Sequence, residues 1–328
     1  MPRSDEFSLI ERFFRPLAGE GAFGLADDAA RLEPVAGFDQ VVTSDMIASG
    51  VHFLADDPPD TIARKALRVN LSDLASKGAD PHAYILNIAL GPEIDDAWLA
   101  GFSAGLAEDQ GRFGIHMLGG DTIATNAPCV IAVTAIGFVP ARQMVHRFDA
   151  EPGDALYVSG TVGAATVGLD LLADPASPWH GLDAQTKQTC ISRYRVPEPR
   201  VGLSEVLRNH ARAAMDISDG LVGDADKMAA ASGCTGTIMF EDIPLEPGLR
   251  ELARTDQHAA LITGGDDFEI LASIAPENES GFVEAASAKG ISVCRIGHLA
   301  QGKGAVQVMQ SGREMALGDR RAYVHRNS

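Results

Sequence analysis

Between residues 40 and 139, apolar runs of strand length alternate with two long helical patterns, and after Pro140 the alternation starts again. The short runs are rich in β-branched residues and read as strands, and the long patterns carry apolar residues at helical spacing and read as helices. In the first half, "QVVTSD" reads as a strand, and "DTIARKALRVNLSDLASKGADP" as a helix capped by Asp60 and stopped near Gly78 and Pro81. "AYILNIAL" is a second strand, "DAWLAGFSAGLAEDQGRFG" a second helix, and "APCVIAVTAIGFV" a third strand, following "GIHMLGGD". A helix is also expected over residues 6–18, from Phe7, Ile10, Phe14 and Leu17, ending at the Gly19 to Gly24 cluster.

Past Pro140 come a strand "ALYVSG", a Gly-rich turn with the helix "GAATVGLDLLA", and a Pro-rich polar connection over 174–199. "RAAMDISDG", the helix "VGDADKMAAASG" and "ALITGGDDFEILASI" follow, the last an apolar run around a paired-carboxylate loop. The expected boundary lies near residue 140, giving domains over 1–140 and 141–328.

Charge narrows the function classes. A net charge of -18 excludes a nucleic-acid surface, which needs a basic patch to neutralise phosphates. An acidic chain still binds an anion where metal ions bridge the two. With 45% hydrophobic residues, no membrane-length apolar stretch and Asp5, Glu6 and Glu11 near its start, the chain is expected to be a cytoplasmic globular protein. Cys129, Cys190, Cys234 and Cys294 stand far apart and read as free thiols in or near the core.

Gly19-x-Gly21-x-x-Gly24 has the spacing of a dinucleotide fingerprint, but a helical pattern precedes it and an extended acidic segment follows, the reverse of the required context. No phosphate-binding G-x-x-x-x-G-K-[ST] motif is present. "SGTVGAATVG" lies between a strand and a helix, where backbone amides either hold an anion or allow tight packing.

The distinctive feature is a series of carboxylates at the ends of elements: Asp27 with Asp28, Asp45, Asp73, Asp121, Asp216 with Asp219, and Asp266 with Asp267. Singly, each fits a turn or a helix cap, Asp121 in "GGDT" and Asp219 in "SDG" especially. Asp73 does not, because it sits mid-helix, where Asn70, Asp73 and Lys77 form a polar stripe opposite Leu67, Leu71 and Leu74. That stripe reads either as a solvated face or as a site. If the carboxylates converge, only cations can offset their repulsion, and hard oxygen ligands with Thr and Ser hydroxyls suit Mg²⁺. His52 pairs with no cysteine or histidine at zinc-ligand spacing and by itself reads as a surface residue.

"SDMIASGVHF", "KALRVNLSDLASKGADP", "GGDT", "MDISDGL" and "GGDDFE", in this order, closely resemble the thiamine-monophosphate kinases, of the aminoimidazole ribonucleotide synthetase-like superfamily. The resemblance runs from about Phe7 to about Tyr323. It implies an α/β N-terminal domain whose sheet pairs with its twin in a homodimer, an α+β C-terminal domain, and ATP held in the cleft. The implied reaction is Mg²⁺-dependent transfer of the ATP γ-phosphoryl group to thiamine monophosphate. The implied metal ligands, for several ions, are Asp28, Thr43, Ser44, Asp45, Asp73, Asp121, Asp216 and Asp219. ATP contacts fall on Gly120, Asp121, Arg147 and Ser218, and contacts to the acceptor substrate on His52, Asp266 and Tyr323. No side chain is singled out as a catalytic acid or base.

Two departures from the family pattern stand out. Ala26 replaces the glycine common two residues before the first metal ligand, and Asp266 replaces a glutamate. A sister synthetase, an ion- or nucleotide-binding protein without turnover, and a Mg²⁺-dependent phosphohydrolase are the competing readings.

Overall fold

The computed structural model describes residues 4–253, 255–318 and 321–323. They divide into two compact units, Met1–Leu74 with Ala79–Met144, and Ala75–Gly78 with Val145–Ser328.

In the first unit the N-terminal helical stretch changes pitch as it runs, from α1 (Glu6–Leu9) through a wide π turn to a tight 3₁₀ turn at Arg15–Leu17. The Gly19 to Gly24 loop then folds onto the sheet, Gly19 N–H donating to the Met117 carbonyl. The sheet is formed by β1 (Phe38–Ala48), β2 (Asp80–Leu90), β3 (His116–Ala124) and β4 (Val130–Pro140), in the order β1-β4-β2-β3. Only the β2–β3 pair is parallel, and the helix α3 (Asp96–Phe113) makes its crossover. "GGDT" is therefore part of strand β3, and Asp121 is a strand residue where a turn or cap was the simple expectation.

Helices α2 (Pro59–Ser76) and α3 cover one face of this sheet. Leu67, Leu71 and Leu74 are fully buried, as the helical spacing requires. Asp95 caps α3 through the Trp98 N–H, and Gly114 closes it in the left-handed conformation. Between the helices lies a buried ion pair, with Arg68 donating from Nε and Nη2 to the two oxygens of Asp109, each at 2.7 Å. The opposite face is covered around Ala83, Leu118 and Ile136, against which Leu32 packs, and is open on β1, where it presents Val42 and Met46 to solvent.

The second unit is built on a seven-stranded sheet: β5 (Ala155–Ser159), β6 (Ala211–Asp216), β7 (Cys234–Met239), β8 (Ile270–Ile274), β9 (Val293–Gln301), β10 (Gln307–Gln310) and β11 (Arg313–Glu314). The order is β11-β10-β7-β9-β5-β8-β6, antiparallel except between β10 and β7. Its helices are α4 (Ala164–Ala173), α5 (Ala184–Arg195), α6 (Ser204–His210), α7 (Leu221–Ala231), α8 (Leu249–Leu252), α9 (Thr255–Thr263) and α10 (Glu279–Ala288). Alternation along β5 sends Leu156 and Val158 into a core shared with α4, α7 and α9, and Ala155 and Tyr157 into one shared with α6 and α10. α/β and α+β is thus the architecture of the two units.

The connection over 174–199 is more ordered than its composition suggests, since it contains α5, capped by Asp183 through the Gln185 and Thr186 N–H groups. Only Cys190 and Tyr194 are buried on that helix, so its sequence lacks an apolar stripe to announce it. Among the described residues no helix is long and apolar enough to cross a membrane.

Replacing Asp109 by alanine strands the buried Arg68 charge, and the first unit is expected to lose about 3–5 kcal/mol of unfolding free energy. Urea denaturation measures it, and a loss below about 1 kcal/mol, the range of a surface ion pair, would contradict this role.

Candidate active site

Strand alternation divides the ligands expected on β1. Thr43 and Asp45 face α2, whereas Ser44 faces the open side, where its Oγ lies 2.9 Å from Thr134 Oγ1. Asp73 accepts from Thr43 Oγ1 at 2.5 Å, and the fully buried Asn70 accepts the Asp45 N–H at 3.0 Å while donating to the Ala66 carbonyl. The Asn70 and Asp73 stripe is therefore no solvated face. It grips the strand that carries Thr43 and Asp45.

His52 follows on the loop after β1. Its Nδ1 accepts the Ala48 N–H at 3.1 Å, and Lys65 Nζ, on the buried Lys65 side chain, donates to the His52 carbonyl at 2.7 Å. An Nδ1 that accepts carries no proton, so Nε2 is the ring nitrogen left to donate.

Asp28 and Asp121 line one cavity of about 520 Å³ in the first unit, together with Asp27, Asn87 and Gly120. Gly120 has no substitute here, because a Cβ on it would lie 1.6 Å from the Leu86 carbonyl oxygen of the paired strand. The Asp28 carboxylate meets no donor among the described residues, and Asp121 Oδ1 accepts only its neighbour's Thr122 N–H. Ala26, the departure just before this pair, has φ -104°, which any residue adopts, so alanine is unstrained where the family has glycine.

In the second unit the loop after β6 and the loop before β8 are joined backbone to backbone. Asp266 N–H donates to the Ser218 carbonyl, Phe268 N–H to the Ile217 carbonyl, and Ile217 N–H to the Glu269 carbonyl. Gly265 permits this approach, since a Cβ there would stand 2.5 Å from the Ser218 carbonyl oxygen. The Tyr323 N–H donates to the Asp219 carbonyl, so Asp216, Ser218, Asp219, Asp266 and Tyr323 form one neighbourhood. The Asp219 carboxylate caps nothing. It pairs with Lys227, which also reaches the fully buried Asp224 at 2.8 Å. Burial pushes the Asp224 carboxyl above its ordinary range, and Lys227 pulls it back. Arg147 lies in the same unit with an exposed guanidinium, its backbone carbonyl held by Ser232 Oγ.

The expected convergence of all these carboxylates does not occur within a unit. Among the described residues no three His, Cys, Asp or Glu side chains form a metal-binding group. The cause in the first unit is topological: β1 and β3 are opposite edges of the sheet, about 14 Å apart at ordinary strand spacing. Even so, the donors fit Mg²⁺, which takes one or two carboxylates from protein and the rest of its shell from water and substrate phosphates. Asp28 and Asp121, hard oxygens facing a cavity that no Lys or Arg among the described residues lines, are such a partial set.

Residue types alone did not single out Asn87, in the cavity, or Lys65, behind His52. Lys65 falls within the helix pattern, so its charge reads as surface until the helix is packed.

Residues 26–139 match the family model for the N-terminal domain of AIR synthase related proteins, and residues 151–309 the model for their C-terminal domain. The thiamine-monophosphate kinase of Caulobacter vibrioides is 41% identical over 317 residues, covering 94% of this chain and 88% of that protein. The crystal structure of thiamine-monophosphate kinase from Stenotrophomonas maltophilia superposes with a TM-score of 0.83 at 36% identity, over 95% of this chain and 98% of that one. AaThiL complexed with AMPPCP and TMP matches with a TM-score of 0.75 at 26% identity, over 97% of both chains. The fold and these two domains make the chain an AIR synthase related protein. Within that class it belongs to the thiamine-monophosphate kinase family.

Nitrogen-15 NMR of the imidazole tests the geometry at His52. The neutral ring is expected as the Nε2–H tautomer, and a proton found on Nδ1 would contradict the Ala48 hydrogen bond.

Proposed function

We propose that this chain transfers the γ-phosphoryl group of ATP to thiamine monophosphate, giving thiamine diphosphate and ADP. The carrying observation is the whole-chain likeness to AaThiL complexed with AMPPCP and TMP, an ATP analogue and, in this reading, the acceptor.

The chemistry asks little covalent help from the protein. An oxygen of the acceptor monophosphate, anionic at neutral pH, attacks the γ-phosphorus in line, and the bond to the β,γ-bridging oxygen breaks as ADP leaves. No general base is required, which agrees with a site rich in carboxylates that need cations. The reading assigns Mg²⁺ ions to Asp28, Thr43, Asp45, Asp73 and Asp121 in the first unit, and to Asp216 and Asp219 in the second, whereas Ser44, turned to the other face of β1, leaves the expected ligand set. When bound, Mg²⁺ supplies charge compensation between the phosphates of donor and acceptor.

The remaining work belongs to positioning. Gly120, Asp121, Ser218 and the exposed guanidinium of Arg147 are assigned to ATP. His52 presents Nε2–H to the acceptor phosphate, while Asp266 and the exposed ring of Tyr323 serve the cationic thiazolium end.

The open face of the first unit's sheet is read as a homodimer surface. Val42 is 60% exposed and Met46 62%, an apolar row on an edge strand that would be an aggregation hazard unless covered. Pairing with a second copy also offers the ligands on one edge a partner edge. A cytoplasmic location agrees with these substrates.

Offered Mg-ATP with thiamine monophosphate or thiamine in parallel, the protein is expected to form equal amounts of ADP and thiamine diphosphate from the monophosphate alone. Inorganic phosphate without an acceptor would instead identify a phosphohydrolase. Asp28→Asn and Asp121→Asn are each expected to weaken activation by Mg²⁺ at least about tenfold, and unchanged titrations would remove them from the ligand set. Sedimentation should show a dimer that Met46→Asp converts to monomer, and a monomeric wild-type protein would refute the pairing.

A further inference from the structure

The turn from β5 to α4 is the one place outside the acidic loops that the sequence marks for an anion. Gly163 stands at the N-cap of α4 with φ +87° and no side-chain cap, so the first amides of the helix point at whatever lies beyond them. What lies there is the chain's own Asp267. Both of its oxygens accept the Gly163 N–H, each at 3.0 Å, and the side chain is only 5% exposed. Burial pushes the Asp267 carboxyl up to about 8, against the stabilising pull of the Gly163 and Ala165 N–H groups.

The residues around it are held as firmly. Glu269, also buried, accepts from Ser159 Oγ and takes both guanidinium arms of Arg200, and Ser159 Oγ in turn accepts the Ile270 N–H. Yet the backbone on either side of Asp267 is in a region that side-chain-bearing residues rarely enter, with φ +72° at Asp266 and +49° at Phe268. Such conformations persist only where the surroundings over-determine them. The bonds from Asp266 N–H to Ser218 and from Phe268 N–H to Ile217 fix the loop on one side, and the Asp267 side chain, seated on α4, fixes it on the other.

We infer that Asp267 is a positioning residue: its side-chain carboxyl group, accepting the Gly163 N–H at the N-terminus of α4, holds the left-handed backbone of Asp266 and so sets the direction in which the Asp266 side chain meets the acceptor. This rests on the reading of Asp266 as an acceptor contact. The two adjacent aspartates divide the work, Asp267 buried on the turn before α4 and Asp266 only half-buried. The Gly163 N–H is correspondingly taken by the chain's own side chain.

The test compares Asp267→Ala, Asp267→Asn and Asp266→Ala. Asp267→Ala is expected to raise KM for thiamine monophosphate about tenfold while KM for ATP stays within about twofold. Asp267→Asn, which keeps an acceptor for Gly163 N–H, recovers most of that loss. If the Asp267 variants lower only the melting temperature and the active fraction, with both KM values unchanged, the residue is merely structural and the inference is overturned. An Asp266→Ala variant with unchanged KM for thiamine monophosphate overturns it from the other side. Hydrogen exchange of the wild-type Gly163 amide decides the anchoring independently of turnover, and of whether the alanine variant folds. Slow exchange like that of β5 supports the seat of Asp267 on α4, and exchange at the rate of an open loop refutes it. A wild-type protein that makes no thiamine diphosphate would defeat the functional reading, whereas the exchange experiment would still report on the anchor.

Discussion

Carboxylates cannot be gathered in a folded protein unless something positive lies among them, and most of this structure answers that constraint. Where the charge is internal, the fold provides its own cation or donor. Arg68 lies against Asp109, Arg200 against Glu269, Lys227 against Asp224, and the Gly163 amide before α4 against Asp267. Around the cavity of Asp28 and Asp121 it does not, and charge is left facing solvent with hard oxygen atoms exposed. In the proposed reading such a site is completed by ions and the phosphates they accompany. On that reading a chain of net charge -18 receives anions through metal ions.

The second requirement is stiffness. Phosphoryl transfer, the proposed reaction, gains most from placing donor and acceptor in line, so the loops assigned to hold them must not wander. These segments are held by hydrogen bonds to their own backbone or ring, from buried side chains in the first unit and from neighbouring backbone in the second. Asn70 holds the strand at Asp45, Lys65 and Ala48 hold His52 at its carbonyl and ring, and the two acidic loops of the second unit are tied residue to residue. The strained backbone at Asp266 is confined to a loop bonded on both flanks.

The legible parts of the fold were those where periodicity and burial agree. α2 and α3 follow from apolar residues at helical spacing, and Leu67, Leu71 and Leu74 are where that spacing puts them. α5 escaped because a helix that buries little more than Cys190 and Tyr194 leaves no periodic trace. "GGDT" resembled a turn because its glycine serves a close approach to Leu86 between paired strands, a reason that exists only in three dimensions. The stripe of Asn70 and Asp73 was visible, but what it faces depends on where β1 lies. Asp266 and Asp267 are equivalent as letters, and only the turn between them separates a half-buried residue from a buried one. The candidate site was thus readable as a set of residue types, and its division between opposite edges of a sheet was not.

The central claim is that these carboxylates bind ions shared with substrate phosphates. Anomalous scattering from crystals grown with Mn²⁺, AMPPCP and thiamine monophosphate tests it most directly. The account predicts manganese peaks between the phosphates and the carboxylates of Asp28, Asp45, Asp121 and Asp219. Nucleotide bound in full occupancy with no ion at any of these carboxylates would contradict it.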